Sequence, residues 1–382
     1  MTTPPPPPAI PGELVEEALL RVPPDDPASL VRASLVCKDW CRLISAPGFR
    51  RRLSERHGAP PLLGFVGSVT DTDGRLGITR FLPTSSFRPR RAEADLFGWV
   101  AIHSCHGRVL LFRRPWCANP RENRLLVWDP VADERRELPR MSWRPEPVPE
   151  SWNAAVLCSA SAAAGCNYSD CHRGPFLVIF VGTLGSTTAT SVYSSDANAW
   201  SERTSARVSF IQYHIEATAI AENALYFNTI TGTRLVKCDL STREVSWINL
   251  PTEASKRDIV LMAMEDGRLG FAMVKEDNLY IWSREVGLDG EKRWAQSRII
   301  ELNKLLPADA LYVEPHLAGY ANGAGVVFLW TCGGFFSVDL NSLRVEERGG
   351  SYRLGKSVVP VMSFCTPALG AASTGEGSGP GA

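Results

Sequence analysis

A weak internal repeat runs through most of this chain and restricts its fold more than any other feature. The repeating unit opens on a short apolar strand that often follows glycine. Instances are Gly107-Arg108-Val109-Leu110-Leu111-Phe112, Gly267-Arg268-Leu269-Gly270-Phe271 and Gly325-Val326-Val327-Phe328-Leu329, with looser copies at Pro175 to Phe180 and Ala224 to Phe227. A second strand follows, ending at Val127-Trp128-Asp129, Val192-Tyr193-Ser194, Val236-Lys237-Cys238-Asp239, Ile281-Trp282-Ser283 or Ser337-Val338-Asp339. Then come a polar turn and a third strand, marked by Arg136 to Leu138, Trp200, Val245 to Ile248, Trp294 and Val345. The second-strand marks lie about 45 to 65 residues apart, the period of propeller blades with loop insertions. One small twisted sheet cannot bury both of its faces. A ring of such sheets can, and it leaves only short edges.

Five copies are visible. Leu62 to Trp99 makes a degenerate sixth, with Gly74-Arg75-Leu76-Gly77-Ile78 as its glycine-led strand. The late run Val358 to Phe364 is placed to return to the first blade and close the ring. The expectation is a β-propeller-like domain over residues 59–368 with six blades, seven or an open β-sandwich being the alternatives.

Ahead of the strands lies a segment of different period. Pro11 opens a helix with Glu13, Glu16 and Glu17 at its positive end and Leu14, Val15, Ala18 and Leu19 on one face. Asp26 as N-cap and Pro27 at the first helical position start a second helix. Leu30, Ala33, Cys37, Trp40 and Ile44 form its stripe, widened by Val36, Leu43 and Phe49. A third short helix over Pro47 to Arg56 stops at Gly58. The apolar face is wider than two short helices need for each other. A unit this small buries little core alone, so it docks on something.

The order of residues here resembles an F-box of the large plant families. The resemblance is carried by Ile10-Pro11, Glu13-Leu14, Leu19-Leu20-Arg21-Val22-Pro23, the run Arg32 to Lys38, Trp40, and Pro47 with Phe49. Ile10 stands where leucine is usual and Gly12 where aspartate is common. The resemblance implies a three-helix F-box over residues 9–58 that binds a Skp-type adaptor and, through it, a cullin–RING ubiquitin ligase. The adaptor-binding residues it implies are Ile10, Pro11, Leu14, Leu19, Leu30, Ala33, Val36, Cys37, Trp40 and Leu43. The strand region is similar to the F-box-associated propeller-like regions of plants, which implies target-protein recognition there. The fold class is therefore mainly β with a small N-terminal α domain.

Forty-one Lys plus Arg balance forty-one Asp plus Glu. That balance gives no broad electrostatic footprint for nucleic acid or a membrane surface, and no apolar run is long enough to span a bilayer. Residues 1–8 begin with Met1-Thr2-Thr3 and five prolines, unlike a signal peptide. A cytoplasmic or nuclear protein with reduced cysteines is expected. The proline run and the Gly/Ser-rich residues 369–382 read as exposed tails.

Chemistry-bearing motifs are scarce. Cys158, Cys166, Cys171 and His172 fall in one segment but lack a paired C-x-x-C knuckle. His103 and His106 flank Cys105 at a spacing that puts them on opposite faces of a strand. No G-x-S-x-G elbow, Walker loop, H-E-x-x-H or G-x-G-x-x-G occurs. The runs Arg50-Arg51-Arg52 and Arg88-Pro89-Arg90-Arg91 read as solvated. Trp116, Trp143, Trp152 and Trp330 are read mostly as blade core, with room for one or two at a recognition surface. No cofactor, metal or catalytic set is expected.

Overall fold

A computed structural model describes residues 11–70, 78–89, 96–113, 124–141, 151–159, 174–185, 187–207, 213–229, 231–254, 258–348 and 353–366. Ile10, Trp116, Trp143, Cys166, Cys171, His172, Arg90, Arg91, the strand at Gly74 to Gly77 and both tails lie outside them.

The helical unit holds four helices, not three: α1 (Gly12–Leu20), α2 (Pro27–Ser34), α3 (Lys38–Ser45) and α4 (Pro47–His57). The expected second helix breaks at Leu35 to Cys37. Cys37 leaves helical geometry (φ −157°, ψ 167°) and caps α3, its Sγ accepting from the Trp40 amide at 3.5 Å. Helical spacing of the apolar residues runs straight through this break, so periodicity alone could not place it. Asp26 does precede α2, with Pro27 at its first position. Its carboxylate makes no capping bond. Oδ2 accepts from Ser29 Oγ at 2.5 Å and Oδ1 from Ser86 Oγ, beyond the helices, at 2.7 Å. Gly58 ends α4 with φ 72°, a backbone region that favours glycine.

The strands form six antiparallel sheets. The first blade holds β1 (Leu62–Thr70) and β2 (Ile78–Pro83). The second holds β3 (Trp99–Cys105), β4 (Arg108–Arg113), β5 (Leu125–Asp129) and β6 (Glu134–Glu137). The third holds β7 (Ser151–Cys158), β8 (Phe176–Leu184) and β9 (Thr187–Ser194), with an outer edge split into β10 (Ala199–Trp200) and β11 (Thr204–Arg207). The fourth runs β12 (Tyr213–Ala221), β13 (Ala224–Thr229), β14 (Arg234–Asp239) and β15 (Val245–Asn249). The fifth runs β16 (Ile259–Ala263), β17 (Leu269–Lys275), β18 (Asn278–Val286) and β19 (Lys292–Glu301). The sixth runs β20 (His316–Ala321), β21 (Val326–Thr331), β22 (Gly334–Asp339) and β23 (Val345–Glu347). Finally β24 (Arg353–Met362) joins the first blade by pairing with β1, with Val66 opposite Val359. The ring is thus closed by its latest strand, as the run Val358 to Phe364 led us to expect.

The glycine-led strands of the repeat are the second strands of their blades. The innermost strands β3, β7, β12, β16 and β20 precede them and were missed, so blades carry four strands where the repeat showed three. Apolar side chains from adjacent sheets fill the spaces between blades. Phe65 of β1 packs on Phe328 and Phe335 of the sixth blade at 5.2 and 5.3 Å. Trp128 is fully buried edge-on to Phe81, 6.5 Å away.

A shared turn ends the third strand of several blades. Asp129, Asp239 and Asp339 each accept from two backbone amides two and three residues on, at 2.8–3.1 Å. Four residues beyond the strand end, Asp133, Asn198, Arg243 and Leu343 all take positive φ. The carboxylate substitutes for backbone acceptors and so fixes a tight turn without glycine.

Candidate partner-binding site

The helical unit has a closed apolar core and an apolar exterior. Val15, Leu19, Leu20, Leu30, Ile44, Phe49 and Leu53 are buried together, with Ala33, Trp40 and Leu43 half-buried against them. One core member comes from elsewhere. Phe364, two residues past β24, is 4% exposed and sits in this cluster. Beside it Ser363 N donates to Pro61 O at 3.3 Å. Asp26 and the Ala28 amide both bond Ser86, just past β2. The helices are therefore seated on the first blade.

The exterior is unusual for so short a segment. Leu14 is 62% exposed, Val31 41%, Leu35 79% and Val36 65%. These are four of the eleven large exposed hydrophobic residues in the described chain; they lie within 23 consecutive residues, so the enrichment is local. The break between α2 and α3 is what turns Leu35 and Val36 outward. A continuous helix there would have carried the stripe from Ala33 through Cys37 to Trp40.

The residues implied as adaptor-binding thus divide. Pro11, Leu14, Val36 and Cys37 are exposed. Ala33, Trp40 and Leu43 are half-buried. Leu19 and Leu30 are core and shape the surface without presenting it. Ile10 lies outside the described residues. Leu35, absent from that set, is the most exposed of the group, and its place on the apolar run was the available signal.

Charged residues around the apolar surface form exposed pairs. Arg21 pairs with Glu17 at 3.1 Å, Arg42 with Asp39 at 3.3 Å and Arg56 with Glu17 at 3.3 Å, while Arg52 pairs with Glu16. Such pairs add little stability. Arg50 departs from the solvated reading. It is buried, and its guanidinium donates to the Ser45 carbonyl at 2.8 Å, bracing the α3–α4 corner. Arg88 Nη1 donates to the carbonyls of Ser85 and Phe87, at 2.7 Å each, so it too is a local brace.

The blades enclose a second candidate, a central channel of about 1110 Å³. His103, Cys105 and His106 line one part of it. Burial pushes His103 and His106 down to about 4, and the Cys105 thiol up to about 12. At neutral pH these groups are uncharged, so Cys105 offers no thiolate to act as a nucleophile. Among the described residues no three His, Cys, Asp or Glu side chains are grouped to hold a metal ion. Trp152 stacks on Phe180 at 5.2 Å inside a blade, and Trp330 lies half-buried 6.0 Å from the His316 ring.

A helical cap with an exposed apolar surface is thus seated on a closed six-bladed ring. Residues 8–52 match the F-box domain family, and residues 103–369 match the family described as F-box protein AT5G49610-like, beta-propeller. The chain belongs to that second family, whose match covers more than half of its length, and it is an F-box protein of the substrate-receptor type. No curated protein matches it. Solved structures similar to it include a nidogen/laminin complex (10% identity, TM-score 0.43, 79% of this chain and 98% of that one). Others are the periplasmic gluconolactonase PpgL of Pseudomonas aeruginosa (11%, 0.41, 77% and 83%) and TolB from Acinetobacter baumannii (11%, 0.41, 84% and 70%). Likeness at that level says nothing of function. No helix among the described residues is long and apolar enough to cross a membrane.

Proposed function

We propose that this protein is the target-recognition subunit of an SCF-type cullin–RING ubiquitin ligase. Its helical unit binds a Skp-type adaptor and its propeller holds a target protein. The observation that carries this reading is the exposed apolar surface of Leu14, Leu35 and Val36 on a unit of F-box sequence. F-box domains generally bind Skp1-type adaptors. Removing such apolar side chains from water favours association in proportion to the area covered, with Trp40 shaping the surface from beneath.

The chain itself is not an enzyme in this reading. Ubiquitin transfer then depends on position: a target held on the propeller is presented to a charged carrier enzyme at high effective concentration. The seating of the helices on the first blade fixes distance and orientation. Action in the cytoplasm or nucleus follows from the same reading, where adaptor and ligase subunits are shared.

The test is reconstitution. Purified chain should capture a Skp-type adaptor and support ubiquitin transfer to a captured target only when adaptor, cullin and RING subunits are added. Loss of capture on deleting residues 1–58 is expected. Capture that survives the deletion, or transfer by the isolated chain, overturns the reading. Capture without transfer to any bound protein favours a non-degradative role at the adaptor.

A further inference from the structure

The two faces of the ring are distinct. The innermost strands β20 and β24 lie side by side and run the same way, with Gly319 against Val358 and Gly323 against Met362. The cap packs on Phe364, just past the end of β24, so it sits at the Gly323 end of the ring. At the opposite end β19 leads into β20 through residues 302–315. This connection is firmly anchored. Leu302, Leu306 and Ala310 are buried in the core shared by the fifth and sixth blades. The Leu302 amide donates to the Asp277 carbonyl at 2.8 Å, and Glu314 accepts from the Glu276 amide at 2.9 Å. Cys332, in the turn between β21 and β22, donates from Sγ to the Asp309 carbonyl at 3.0 Å.

Yet the same connection holds out two adjacent apolar side chains. Tyr312 is 84% exposed and Val313 56%. Tyr312 makes no hydrogen bond or ring contact among the described residues. Single exposed apolar residues are ordinary. An adjacent pair on an anchored connection differs, because its backbone is already fixed and a partner has little left to order.

Charge around the pair is one-sided. Glu301 and Lys304 pair at 2.8 Å and offset each other. Glu276, Asp277, Asp309 and Glu314 then stand against Lys275, on a chain whose charges balance overall. Of these acids Glu276, Asp309 and Glu314 are exposed. An aromatic ring attracts a cation to its face. A guanidinium stacks there and also bonds carboxylates in a fork, which an ammonium does not. Arginine thus fits each part of this surface: its methylene stem suits Val313, and its planar cation suits the Tyr312 ring and the carboxylates.

We propose that this face, opposite the cap, binds an arginine-bearing segment of the target protein, with Tyr312 as the anchor. The proposal rests on the reading of the propeller as the part that holds the target. The test is fluorescence anisotropy on the full chain with labelled arginine–glycine, lysine–glycine and glutamate–glycine repeat peptides. The arginine peptide should bind saturably and more tightly than the lysine peptide, and the glutamate peptide should not bind. Tyr312→Ala should weaken arginine-peptide binding about tenfold, whereas Tyr312→Phe, which keeps the ring, should retain it. Asp309→Asn combined with Glu276→Gln should weaken binding and flatten its dependence on salt. Adaptor capture should be unchanged in every variant. No saturable binding of the arginine peptide, equal binding of the lysine peptide, or undiminished binding in Tyr312→Ala overturns the proposal. Capture is read separately: its failure in the unaltered chain counts against the receptor reading, whereas failure of peptide binding alone counts against this face.

Discussion

Leu14 and Leu30 lie in one apolar segment with opposite fates. Leu30 is 1% exposed in the helical core, whereas Leu14 is 62% exposed. Leu14→Glu should therefore abolish adaptor capture while shifting stability by less than about 0.5 kcal/mol, the usual range for surface changes. Leu30→Ala should cost about 2–5 kcal/mol through the cavity it leaves. A pull-down paired with a thermal melt separates the two. Loss of stability in Leu14→Glu would mean that it belongs to the core.

The turn carboxylates show how place sets charge. Asp239 is held below the usual carboxylate range, chiefly by the Thr242 amide. Its contribution is present above the unfolded value and lost as pH falls through the lowered one. Asp129 makes the same two bonds, but burial pushes it up to about 6. Its folded form binds the proton more tightly than the unfolded chain does. Stability from this group thus falls as pH rises from about 4 to about 6, by at most about 3 kcal/mol. Asp129→Asn, which retains a side-chain oxygen for the turn, should flatten that part of the stability–pH profile. An unchanged slope in chemical denaturation from pH 4 to 6 would exclude the effect. The sequence showed both aspartates as strand-end marks; it could not show that one sits beneath Arg108 and Cys365 and the other in solvent.

At the scale of elements, the break between α2 and α3 governs what the cap presents. Cys37 is a weak capping residue, since sulfur accepts hydrogen bonds poorly. Cys37→Ser should stabilise the α3 start by ~0.5–1 kcal/mol through a better acceptor for the Trp40 amide. Adaptor capture should persist, because Leu35 and Val36 keep their exposure. A drop in the melting temperature of Cys37→Ser would count against the cap as described. Much of this level was legible. The strand ends at Asp129, Asp239 and Asp339, the closing strand and the helix starts at Pro11, Asp26 and Pro47 all carry local turn or cap chemistry. The innermost strands carried none. β3, β12 and β20 slip register midway, which breaks the alternation a strand needs to be seen. Their channel-facing residues mix His103 and Thr218 with Ile102 and Leu317, so no single polarity marks the inward side. The α2–α3 break was hidden for the opposite reason, a helical pattern that continued where the backbone did not.

For the whole molecule, the cap and ring share material. Phe364 is a core residue of the helices, yet it follows the strand that closes the propeller. Phe364→Ala should cost about 3–5 kcal/mol, felt in the helical unit first. Adaptor capture should weaken although Phe364 is buried and touches no partner. A fragment of residues 59–366 should still give a β-rich circular dichroism spectrum and a single melt, because β24 keeps its pairing with β1. If Phe364→Ala leaves both the melt and the capture unchanged, the helices stand independently of the ring.

The shared residue also sets an order of events during synthesis. The helices leave the ribosome first, but their core waits for Phe364, made after every blade. A chain cut short anywhere in the propeller lacks both the strand that seals the ring and the side chain that completes the helices. Such a fragment would lack a closed ring, and its helical core would be short of one buried aromatic side chain. The fold thereby ties the completeness of the helical core to the completeness of the ring: both wait on the same last stretch of chain.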